Sequence, residues 1–114
     1  MTNKVLIIAT NLIVGEHIKN FLTKEGFDVH IHVYTSKNQS DIYLHRDVDY
    51  LIVDNVSILS VVELFREKLE KKECKMINLN ISDLSDDLEV LKSSDSVFFI
   101  EKPFLPSEIL NYIN

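Results

Sequence analysis

Two ionisable residues close apolar runs, and their placement invites a chemical reading. Asp54 ends "DYLIVD" (49–54), and Lys102 sits within "FFIEKPFLP" (98–106). Pro103, directly behind the lysine, holds Lys102 near extended geometry, and an X-Pro bond can be cis. A lysine held this way is aimed rather than free to wander. If both runs are strands of one parallel sheet, the carboxylate and the ammonium converge at one rim. A partly desolvated pair of this kind is worth ~1–3 kcal/mol, and much less where water reaches it. Other candidates are weaker. His30 and His32 share one face at strand spacing, a pattern that can ligate metal, but no third ligand is evident and two ordinary exposed histidines are the simpler reading. Cys74 follows a lysine-rich segment that could lower its pKa; a small buried hydrophobe at a strand entrance is the plainer account.

The elements that must position these groups alternate in period. "KVLIIA" (4–9) is a continuous β-branched run, the mark of a strand buried on both faces. Val14, Ile18, Phe21 and Leu22 then fall at helical spacing, and Gly26 stands where a helix wants its C-terminal cap. "FDVHIHV" (27–33) alternates and reads as a second, less buried strand. "SKNQSDIYLHR" (36–46) reads as a short polar helix. "DYLIVD" is a third strand, followed by a helical face of Val61, Leu64, Phe65 and Leu69 and a solvated, charged end, "EKLEKKE". "KMINLN" (75–80) is a fourth strand. Leu84, Leu88 and Leu91 make a helix face with acids in its first turn, where the dipole favours them. "SVFFIE" (96–101) is the fifth strand, and Pro106 suits the first turn of a closing helix with Ile109, Leu110 and Ile113 as its face.

Strand and helix thus alternate five times with no linker, which predicts one α/β domain over 1–114. Such alternation gives a doubly wound parallel sheet with right-handed crossovers. Functional groups gather at the carboxyl ends of its strands. Those ends carry Ala9-Thr10, Asp54, Asn80 and Lys102. The formal net charge of -6 and the lack of a basic stretch argue against nucleic acid as a direct partner. One cysteine excludes an internal disulfide framework. No apolar run approaches the ~20 residues of a membrane span, and a cytoplasmic protein is expected.

With "KVLIIATN", "VDYLIVDN" and "FFIEKPFLPSEIL" in this order, nearly the whole chain resembles the receiver domain of bacterial two-component response regulators. The resemblance implies a flavodoxin-like (βα)5 fold with strand order 2-1-3-4-5. It implies that Asp54 stands at the phosphoacceptor position, taking a phosphoryl group from a histidine kinase. Lys102 would contact that group, Phe99 would be the aromatic that reports the switch by changing rotamer, and the Lys102-Pro103 bond would be cis.

The departures bear on function more than the matches do. The family ends its first strand with two acids that hold Mg²⁺; here those positions are Ala9 and Thr10. Magnesium is recruited by carboxylates together with phosphate oxygens, and phosphoryl transfer needs it to neutralise developing charge. Asp54 alone should bind it weakly, if at all. Asn80 replaces the family's serine or threonine with a larger amide. "NVSILS" lacks the usual proline and glycine, and "SSDS" replaces the usual glycine-alanine pair. The expectation is an atypical receiver that acts as a protein-interaction module, has no enzymatic activity beyond weak self-dephosphorylation, and needs no cofactor. The alternative is a regulator still phosphorylated on Asp54. The partner is expected to be a histidine kinase or a downstream signalling protein, with no membrane contact.

Self-association, where receivers often pair, would use the fourth helix, fifth strand and fifth helix. That face carries Asp83, Asp86, Asp87, Glu89, Lys92 and Glu108. Like charges would meet across it, so a monomer or weak homodimer is expected.

Overall fold

The computed structural model describes residues 3–34, 47–54, 65–79, 96–100 and 105–113, with only the backbone of Phe99. The continuous apolar runs become the inner strands of one sheet. Its strands are β1 (Lys4–Ala9), β2 (Asp28–Val33), β3 (Tyr50–Asp54), β4 (Lys75–Asn78) and β5 (Val97–Phe99). All four pairings are parallel, in the order β2-β1-β3-β4-β5. This is the flavodoxin-like order that the sequence implied. From Val5 to Ala9 every residue of β1 is fully buried. That explains why the run shows no alternation: both faces of β1 are covered. β2, at the sheet's edge, buries Val29 and exposes Asp28, His30 and Val33.

Helices cover both faces. α1 (Leu12–Lys24) starts at Asn11, whose side-chain oxygen accepts the Ile13 N–H at 2.9 Å. It stops where Gly26 adopts φ 97°, with Gly26 N–H donating to Thr23 and Phe27 N–H to Leu22. These two bonds are a Schellman arrangement, and glycine tolerates the left-handed turn it requires. Ile18 and Leu22 pack with Val5, Ile7, Ile52 and Ile77 on one face of the sheet. Gly15 lets the helix come close: a Cβ there would stand 3.3 Å from Ile31 Cγ2. α2 (65–70) covers the opposite face, where Phe65 and Leu69 meet Leu6, Ile8, Leu51, Val53 and Met76. Each fully buried aliphatic side chain contributes ~1.5–3 kcal/mol.

The closing helix is shorter than its periodicity suggested. α3 (Pro106–Ile109) is one turn with proline in its first turn, and the chain continues as turns to Tyr112. Ile109 and Ile113 are nonetheless both buried on the face of α1. One turn plus a turn-rich tail satisfies the same spacing as a longer helix. β4 ends at Asn78 rather than at residue 80, and β5 spans three residues rather than six. In both, one bond runs past the end, from Leu79 N–H to Val53 and from Ile100 N–H to Asn78. The expected helices at 36–46 and around Leu84, Leu88 and Leu91 lie outside the described residues, as do Val61 and Leu64.

Candidate functional site

The strand order reverses direction between β1 and β3, and the crevice at their carboxyl ends is where a doubly wound sheet places its site. Asp54 is the last residue of β3 and is only 2% exposed. Its register partner on β1 is Ala9, itself fully buried. Neighbouring strands lie ~4.8 Å apart, so a methyl group sits beside the carboxylate on the same face of the sheet. Thr10 follows one residue later and is exposed. Asn11 offers an amide oxygen nearby, but that oxygen already caps α1.

Sequence reasoning placed Asp54, Ala9 and Thr10 together, and the structure brings them together. β5 ends at Phe99, in register with Asn78. Asn80, Lys102 and Pro103 lie outside the described residues, as does the Phe99 side chain. The expected Asp54–Lys102 pair therefore rests on the strand-end reading of the sequence, and the cis bond on the resemblance. Asn78 was not anticipated. It is 2% exposed and ends β4, following the buried Met76 and Ile77. Its signal was a polar residue inside the run "MINL", which the strand assignment passed over.

The Mg²⁺ that the receiver resemblance implies can be tested against these donors. One carboxylate, a buried methyl and one neutral hydroxyl do not make an oxygen set for Mg²⁺. Among the described residues, no group of three or more His, Cys, Asp or Glu could hold a metal ion. His30 approaches Asp28 at 3.5 Å with both half-exposed, a surface contact rather than a metal site.

The opposite end of the sheet carries the described charge pairs. Lys4 reaches Asp47 at 2.9 Å, while its backbone N–H donates to Asp49. The hydrogen bond to Asp47 raises the Lys4 pKa, and the same contact lowers that of Asp47. A pocket of about 170 Å³ opens there beside Asp49, Tyr50 and Cys74. Asp49 and Asp54 stand five residue steps apart along extended chain, ~16 Å, so this pocket is not part of the rim.

Cys74 lies at that far end, and burial pushes its thiol up to about 12 from 9.0. The structural reading of this cysteine therefore stands over the reactive one. The unfolded thiol ionises first, so its contribution to stability is complete below pH 9 and is lost as pH rises towards 12. At pH 8 a small aromatic disulfide reagent is expected to modify native Cys74 at least ~100-fold more slowly than in denaturing urea. Equal rates in the two conditions would contradict its burial.

No family model and no curated protein matches this chain. Solved structures do. A response regulator receiver domain protein from Bacillus halodurans C-125 aligns with a TM-score of 0.73 at 22% identity, covering 99% of this chain and 95% of its own. A CheY-like receiver domain protein from Methanospirillum hungatei JF-1 gives 0.73 at 18%, covering 99% and 91%. A response regulator from Thermotoga maritima gives 0.68 at 24%, covering 99% and 95%. The chain has the receiver fold. At these identities the likeness establishes the architecture, and the chemistry of this receiver fold has to be argued from its own rim. No helix among the described residues is long and apolar enough to cross a membrane.

Proposed function

We propose that the protein is an atypical receiver that works in two-component-type signal transduction as a protein-interaction module, with Mg²⁺-dependent phosphorylation of Asp54 impaired. The observation that carries this reading is the register pairing of Asp54 with buried Ala9. Phosphoryl transfer is almost entirely positioning and charge stabilisation, and the metal supplies most of that charge. A site that replaces two acids with a methyl and a hydroxyl keeps the acceptor and loses the means of using it. In this reading Lys102 pairs with Asp54, Asn80 and Phe99 hold switch positions that are no longer driven, and the protein is cytoplasmic and not an enzyme. Its partner is a histidine kinase or a downstream signalling protein. Intact-mass measurement after incubation with acetyl phosphate and Mg²⁺ tests the proposal, the expected result being the unmodified mass.

One observation favours a second reading. Asp54 itself is retained, buried at the strand end where the fold places its acceptor. A gain of one phosphate, lost in Asp54→Asn, would establish the protein as a phosphorylatable regulator.

The module is proposed to be a monomer or weak homodimer. The resemblance assigns Asp83, Asp86, Asp87, Glu89, Lys92 and Glu108 to the face where receivers often pair, and all of these but Glu108 lie outside the described residues. Salt screens the repulsion between such like charges. Sedimentation is expected to show association that strengthens from low to high salt; a tight dimer at low salt would contradict it.

A further inference from the structure

We infer that the rim around Asp54 takes no divalent cation, so that the conformation of this protein, and with it partner binding, does not respond to Mg²⁺. The inference rests on the interaction-module reading and specifies its regulation. Magnesium dehydrates reluctantly and demands near-octahedral oxygen ligands, so a protein must offer charge in return. Position 9 offers a methyl that is fully buried among Val5, Ile7 and Ile52. Position 10 offers at most one neutral hydroxyl. The side-chain oxygen of Asn11 is engaged by the Ile13 N–H at 2.9 Å.

Other described carboxylates stand elsewhere. Asp28 opens β2 and Asp49 precedes β3, both at the amino ends of the strands. Glu16 is exposed on α1, beyond its first turn. Asp54 is the carboxylate that the register sets beside the carboxyl end of β1.

A ligand shifts a conformational equilibrium only by its differential affinity for the two states, and one that does not bind shifts nothing. Without a bound cation the interaction surface has no Mg²⁺ input, and at given protein concentrations partner binding is the same with and without Mg²⁺.

The test is a set of ¹⁵N–¹H spectra of the whole chain, titrated with MgCl₂ to tens of millimolar with ionic strength held constant. Thr10→Asp and Ala9→Asp/Thr10→Asp are titrated in parallel; the exposed Thr10→Asp variant keeps the test valid if the buried substitution prevents folding. The expected result is no saturable shift in the wild type at residues 9, 10, 53 and 54, and saturable shifts there in at least one variant. Saturable wild-type shifts at those residues would overturn the inference. Silence in every folded variant would overturn the assignment of the loss to positions 9 and 10. The two readings fail separately. Magnesium binding without phosphate uptake on Asp54 sinks this inference alone. Phosphate uptake without magnesium binding sinks the interaction-module reading alone.

Discussion

Ala9→Asp is expected to destabilise the protein by ~3–5 kcal/mol at neutral pH, the usual cost of leaving a buried charge uncompensated. Ala9 is fully buried and lies in register with Asp54, so the new carboxylate would be desolvated and would face a second anion across one strand spacing. Since a domain of this size is stable by only ~5–15 kcal/mol, the variant is expected to approach the edge of folding. Thr10→Asp is the informative comparison. Residue 10 is exposed and stands just ahead of the Asn11 cap, where the α1 dipole favours an acid. It is expected to change stability by less than ~1 kcal/mol. Urea unfolding followed by circular dichroism measures both. An Ala9→Asp protein as stable as the wild type would mean that the crevice is wetter or more basic than its burial implies.

That contrast between neighbouring positions also explains what was legible in the sequence. "KVLIIA" and "YLIVD" could be read as strands because strands covered on both faces leave long apolar runs, and little else of that length does. The alternation of "FDVHIHV" matched a less buried strand, which the structure places at the sheet's edge. Gly26 marked the end of α1 through local hydrogen bonds, and such a signal does not depend on the rest of the fold. The lengths of β4, β5 and α3 were less legible. Apolar spacing reports which residues are inside, as Ile109 and Ile113 are, and not whether the backbone between them is helical. Asn78 escaped notice because "KMINLN" was read as a strand from its apolar residues, a pattern that does not say whether a polar residue within it is buried; Asn78 is buried at the end of β4.

At the site, Asp54 and the two positions beside it could be located because strand ends in a parallel sheet fall at one rim. The loss of acids at Ala9 and Thr10 was legible through the resemblance, and the register adds that Ala9 stands directly beside Asp54. A sequence places Ala9 and Asp54 forty-five residues apart. The sheet makes them neighbours on one face, so that the carboxylate's register partner on β1 is a methyl.

The second large effect concerns phosphoryl chemistry itself. Losing one preorganised charge-stabilising group typically costs ~10²–10³ in rate, and this rim departs from the receiver pattern at two. Uptake from small donors should therefore be too slow to accumulate. The most direct measurement traps any aspartyl phosphate chemically: after incubation with excess acetyl phosphate and Mg²⁺, borohydride reduces an acyl phosphate to the alcohol, leaving homoserine in place of aspartate. Peptide mass spectrometry then reads residue 54. The account predicts that residue 54 remains aspartate at saturating donor. Homoserine at residue 54, formed with Mg²⁺ and abolished by EDTA, would contradict it.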